Sequence, residues 1–158
     1  MTNINLFRNR PVAVIGAGVM GVGIVQVALL AGHPVHLYDV REGAAAAAAE
    51  QLAATLAKLA DKGKLTPEDV ASARARLRVA TSLNELRDCA LVIEAIVENL
   101  AVKQALMRDL EAIVTPDCVL ASNTSSLSIT AVARGLEVPG RVVGMHFFNP
   151  VPLMRLVE

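Results

Sequence analysis

An α/β fold, in which a doubly wound and mostly parallel sheet carries helices on both faces, is what the sequence predicts. Three observations lead there. Short apolar runs of strand length alternate with longer stretches rich in helix formers, the pattern of successive βαβ units. The first such run, "VAVI", ends on a glycine and opens into a second apolar stretch of helical length. No internal repeat or linker-like break interrupts the 158 residues, about one domain's worth and enough to bury a substantial core.

Each element has its own justification. Val12 to Ile15 is short, wholly apolar and stopped by Gly16, as a strand buried on both faces should be. Val19 to Ala31 has helical length, with Gly32 as its stop. "HPVHLYD" (33–39) is the second strand. From Glu42 to Lys62 Ala, Leu, Gln and Glu dominate, all good helix formers, and Gly63 ends the run. In "TPEDVASARARL" (66–77), Thr66 is placed to cap a helix, Pro67 suits its first turn, and Glu68 and Asp69 lie near the positive end of its dipole. Ser82 and Glu85 have capping-box spacing for a further short helix. "ALVIEAI" (90–96) and "CVLASN" (118–123) read as buried strands, with a helix between them from Leu100 to Val114. Ser128 to Arg134 is a short helix and "RVVGMHFF" (141–148) a final strand.

Composition narrows the function classes. Hydrophobic residues make up 54% and aromatics only 3%, with a mean hydropathy of +0.49, so the core must be aliphatic. Fifteen basic residues balance fifteen acidic ones without a long run of either sign, which argues against a nucleic-acid partner. Cys89 and Cys118 belong to no CxxC or Cys/His cluster, so buried reduced thiols are expected, and no metal site. From Pro11 to Tyr38 there is no Asp, Glu, Lys or Arg, and Arg8 and Arg10 precede the stretch, as in a signal peptide or membrane span. Two prolines and five glycines inside it favour a folded strand–helix–strand unit instead. A cytoplasmic protein without a membrane partner is expected.

Gly16-Ala17-Gly18-Val19-Met20-Gly21 fits GxGxxG, a weak pattern alone but here set between a predicted strand and a predicted helix. In this Rossmann-type arrangement the first glycine permits a tight turn and the second lets a pyrophosphate reach the backbone. The third lets helix and strand pack closely, and the helix N-terminus faces the diphosphate. Asp39, eighteen residues after Gly21, stands where a carboxylate accepts from the adenosine ribose hydroxyls and repels a 2′-phosphate. NAD is therefore expected over NADP, with Arg41 two residues on able to soften the preference; a flavin dinucleotide is the other occupant of such a turn.

His33 and His36 flank the second strand and read as fillers, whereas His146 follows "RVVGM", at the strand end where α/β sheets hold ligands. Asn149, Pro150 and Pro152 bend the chain, so that Glu158 can return towards His146. Oxidation of a secondary alcohol needs a base for the hydroxyl proton. Imidazole has a suitable pKa, and a carboxylate on its second nitrogen fixes the tautomer.

"VIGAGVMGVGIVQVALLAGHPVHLYD", "VIEAIVENLAVKQ", "ASNTSSLSIT" and "GMHFFNPVPLMRLVE" together resemble the 3-hydroxyacyl-CoA dehydrogenase family, in order and from about Arg10 to Glu158. The last motif is the most specific. The resemblance implies NAD-dependent oxidation of (S)-3-hydroxyacyl-CoA to 3-oxoacyl-CoA, with His146 as general base oriented by Glu158. It implies that Ser125 bonds the substrate oxygen near the nicotinamide and that Asn149 lies near the reacting carbonyl. Gly16, Gly18, Val19, Met20, Gly21, Asp39, Glu98, Lys103, Ser125 and Asn149 would meet the cofactor. Thr55 and Lys62, with Lys64 near, align with CoA contacts. Family members normally continue past this glutamate into an all-helical substrate and dimerisation domain. Residues 1–158 are thus expected to be the NAD-binding domain alone, as an excised domain or half of a split enzyme whose full-length form is a homodimer. An NAD-binding module with little turnover is the competing expectation.

Overall fold

The computed structural model describes residues 10–158; Arg8, one of the two arginines before the uncharged stretch, lies outside them. Six strands form one sheet: β1 (Val12–Ile15), β2 (Val35–Tyr38), β3 (Leu77–Val79), β4 (Leu91–Glu94), β5 (Val119–Ser122) and β6 (Val142–Gly144). They are all parallel, in the order β3-β2-β1-β4-β5-β6. The helices are α1 (Val19–Leu30), α2 (Ala44–Asp61), α3 (Pro67–Arg76), α4 (Leu100–Ile113) and α5 (Ile129–Val132). The chain starts at the centre of the sheet, winds outward through β2 to β3, then crosses back to lay β4 on the other side of β1. This is the Rossmann order, with its ligand crevice where the winding reverses.

Alternation along β1 assigns the two faces. Val12 and Val14 point into a core shared with Ile24 and Leu29 of α1 and Leu52 and Leu56 of α2. Ala13 and Ile15 point into a second core built with Met107 and Leu110 of α4 and Val132 of α5. Cys89 and Cys118 belong to this second core as free thiols, and burial pushes them up to about 12 and about 11. The uncharged stretch is accounted for by β1, α1 and β2, and no helix among the described residues is long and apolar enough to cross a membrane.

Two elements differ from expectation. β3 was not foreseen: it follows α3 with no intervening loop, has three residues, and pairs only with β2 at the sheet edge, so it carries little of a strand's apolar alternation. The expected final strand 141–148 is split. β6 ends at Gly144, and the chain turns at 150–153 and returns as an isolated antiparallel bridge between Phe147 and Val157. The caps are as read: Thr66 and Asp69 exchange side-chain and backbone hydrogen bonds of 3.1 and 2.9 Å, and the Glu85 carboxylate accepts from the Ser82 N–H at 3.2 Å.

α1 packs closely on the turn that follows β1, where a Cβ on Gly21 would lie 1.8 Å from the Gly16 carbonyl oxygen. No side-chain rotation relieves a clash with backbone. Gly21→Ala should therefore cost about 3 kcal/mol, the upper end of overpacking penalties, in urea unfolding. A loss below about 0.5 kcal/mol would show that helix and strand can separate without penalty.

Candidate cofactor and catalytic site

The strand ends define the site. Ile15 lies in register with Tyr38 on one side and Glu94 on the other, and Glu94 with Ser122, so the loops after β1, β2, β4 and β5 gather at one edge. Gly16 has φ +106°, and a Cβ there would meet the Ala95 carbonyl at 2.6 Å, so only glycine makes this turn. Gly18, the N-cap of α1, has open space where a Cβ would be, and Val19 beside it is exposed. The N–H groups of the first turn of α1, including those of Val19 and Met20, are thereby left for an anion. A cleft of about 670 Å³ adjoins this turn, walled by Asp39, Ile96, Val97 and Val102 among others. An open N-terminal turn, a carboxylate and an apolar wall fit a dinucleotide.

Asp39 is positioned by the glycine turn itself: the Ala17 N–H donates to its carboxylate at 2.7 Å. The Arg41 guanidinium and main chain also donate to it, at 2.9–3.0 Å. The Arg41 side chain foremost, with the Ala17 bond, holds the Asp39 carboxyl at about 2, against the opposing pull of burial. Its folded value lies below the unfolded one, so what it adds to stability is present above pH ~4 and is lost as the pH falls through about 2.

Behind the cleft lies a network that the sequence reading missed. Glu94, the last residue of β4, is fully buried, and so is Lys103 of α4. The Lys103 ammonium donates to both Glu94 oxygens at 2.8 Å and lies 3.4 Å from Glu98. Glu94 also accepts from the Ser122 hydroxyl and from the Ile96 N–H at 3.1 Å. Glu98 in turn accepts from the Thr124 and Ser126 hydroxyls. Burial works to raise the Glu98 carboxyl, but the Thr124 bond and the Lys103 charge outweigh it and hold it below its ordinary value. Lys103, expected beside the cofactor, thus points into the protein and reaches the site through Glu98. The available signal was an acid inside the apolar run "ALVIEAI", since a buried carboxylate demands a partner.

His146 and Glu158 are brought together. Each donates its N–H to the other's carbonyl, at 2.8 and 3.0 Å, and the imidazole Nδ1 lies 3.5 Å from Glu158 Oε2. The segment is docked on β5: Met145 donates to the Ser122 carbonyl at 2.8 Å and Phe147 to the Asn123 side chain at 2.9 Å. The Phe148 ring packs on the imidazole, with centroids 4.4 Å apart. Ser125 is exposed between Thr124 and Ser126, the two residues that hold Glu98, and Asn149 is exposed before the cis-proline Pro150. Thr55 and Lys62 are not joined to these residues. Both are exposed on or at the end of α2, where the Thr55 hydroxyl donates to the Gln51 carbonyl at 3.0 Å.

Removing one partner of the buried ion pair leaves the other charge stranded. Lys103→Met should cost about 3–5 kcal/mol in chemical denaturation, and adding Glu94→Gln should recover most of it. Equal losses in the single and double variants would show that the pair is not coupled.

Comparison with known proteins places the chain. Residues 11–158 match the family described as 3-hydroxyacyl-CoA dehydrogenase, NAD binding domain. A probable 3-hydroxybutyryl-CoA dehydrogenase of Bacillus subtilis is 47% identical over 149 residues, covering 94% of this chain and 52% of the relative. The 3-hydroxyadipyl-CoA dehydrogenase of Escherichia coli is 46% identical over 149 residues, covering 94% and 31%. The crystal structure of a 3-hydroxybutyryl-CoA dehydrogenase from E. coli superposes with a TM-score of 0.92 at 45% identity, over 95% of this chain and 32% of that one. The chain spans about half the length of the Bacillus relative and about a third of the E. coli relative and of the E. coli crystal chain. The glycine turn, the carboxylate after the second strand and this match over nearly the whole length lead to one conclusion: the chain belongs to the 3-hydroxyacyl-CoA dehydrogenase family, as its NAD-binding domain.

Proposed function

We propose that this domain serves NAD-dependent oxidation of (S)-3-hydroxyacyl-CoA to 3-oxoacyl-CoA, with His146 as general base and Glu158 as the residue that orients it. The observation that carries the reading is the His146–Glu158 pair, held by reciprocal backbone hydrogen bonds beside the ligand edge of a dinucleotide-binding sheet. Bound NAD supplies the hydride acceptor. His146 takes the C3 hydroxyl proton on Nε2, because Nδ1 faces Glu158, and the carboxylate stabilises the imidazolium that results. Ser125 bonds the substrate oxygen and Asn149 lies by the reacting carbonyl. Glu98 sits at the nicotinamide ribose, tied to Thr124, Ser126 and Lys103. Thr55 and Lys62 hold the CoA nucleotide from α2.

A second reading concerns the chain as it stands. Leu153, Met154, Leu156 and Val157 are exposed along the returning segment, and His146 itself is partly open to water. A helical domain shared across a homodimer would cover this side in the complete enzyme, while the 158 residues alone would bind NAD and turn over little. The buried free cysteines agree with a reducing, cytoplasmic setting.

Two measurements test these readings. In a protein joining this domain to its helical partner, His146→Gln should lower kcat for acetoacetyl-CoA reduction about 10²–10⁴-fold and leave NADH affinity within about twofold. Turnover within about tenfold of the parent would remove His146 from the base role. With the 158-residue chain alone, robust acetoacetyl-CoA turnover would overturn the module reading.

A further inference from the structure

Asp39 is the acid that should receive the adenosine ribose, yet its oxygens are already engaged. A carboxylate offers about four lone-pair sites. Four donors meet it here: the N–H of Ala17 at 2.7 Å, the N–H of Arg41 at 2.9 Å, and Arg41 Nε and Nη2 at 3.0 Å each. The guanidinium forms a bidentate fork, one nitrogen to each oxygen. A ribose diol can reach this carboxylate only by displacing part of that fork. The Arg41 side chain is the movable partner, since it is 69% exposed whereas the Asp39 side chain is only 7% exposed and is held in place by the Ala17 N–H.

Arg41 and Asp39 both line the cleft beside Gly16 and Gly18. A displaced guanidinium therefore stays at the adenosine end, two residues from the carboxylate, with its planar donors free. Two consequences bear on a 2′-phosphate. The negative charge of Asp39 is compensated, so it repels a phosphate less than a bare carboxylate would. The guanidinium also offers the geometry that pairs with phosphate in a bidentate manner. Asp109 of α4 lines the same cleft and keeps some negative charge there, which preserves a preference for the unphosphorylated cofactor.

We propose that Arg41 is a specificity-determining residue for the cofactor: it admits NADP(H) beside NAD(H) and narrows the discrimination that Asp39 alone would impose. The proposal rests on dinucleotide binding at the Gly16–Gly21 turn, and the test separates the two. NADH and NADPH are titrated calorimetrically into the full 158-residue chain and into its Arg41→Ala variant, with circular dichroism confirming that both are folded. The unmodified chain should bind both, NADPH within about a hundredfold of NADH. Arg41→Ala should weaken NADPH at least about tenfold and leave NADH unchanged or tightened by up to about threefold, since the fork no longer competes with the ribose. Equal effects on both cofactors, an unchanged ratio, or no NADPH binding by the unmodified chain at millimolar concentration would overturn the proposal. Failure of the folded, unmodified chain to bind NADH would be a different result: it would remove the cofactor site itself, and the proposal with it.

Discussion

The close approach of α1 to the end of β1 is the constraint on which both halves of the site depend. With Gly21 against the Gly16 carbonyl, the helix starts directly above the strand end, and its N-terminal N–H groups face the crevice. The same turn presents the Ala17 N–H that fixes Asp39, so the carboxylate after β2 is located by the glycine turn. Two residues on from Gly21, and on another side of the helix, Gly23 sits where a Cβ would lie 2.8 Å from Val151. The segment returning Glu158 to His146 therefore rests on the backbone of α1. The position of that one helix relates the glycine turn to the His146–Glu158 pair.

Behind this surface the protein places charge where a core would ordinarily be apolar. Burying Glu94 and Lys103 is costly, and replacing such a pair by hydrocarbon is often neutral or stabilising, so stability does not account for it. What the pair accomplishes is connection. Glu94 holds the end of β4, Lys103 belongs to α4, and their further partners, Ser122 on Glu94 and Glu98 on Lys103, lead to the loop that bears Ser125. Three elements are thus fixed relative to one another by directional bonds, where aliphatic contacts would tolerate sliding.

Much of this was legible in the sequence where local chemistry decides structure. Thr66, Asp69, Ser82 and Glu85 announced their helix starts, and the apolar runs around Val12, Val92 and Leu120 announced a parallel sheet, because caps and buried strands are short-range features. Leu77–Val79 was not legible, since an edge strand of three residues has too few positions to show a period. The depth of Lys103 was hidden for a different reason. A lysine on an amphipathic helix reads as solvated unless its counter-charge is known to face it, and Glu94 belongs to a separate strand. Likewise the spacing of His146 and Glu158 permits their meeting without requiring it. Only the backbone pairing around the Phe147–Val157 bridge makes them neighbours.

That pairing gives the connecting loop a parity. His146 and Glu158 form one hydrogen-bonded rung, and side chains on successive rungs alternate between the two faces of the ribbon. A one-residue slip of the pairing register would put Val157 opposite the imidazole and turn the Glu158 carboxylate to the far side. The turn between them resists that slip, because Val151 is buried against Gly23 of α1 and so fixes where the chain reverses.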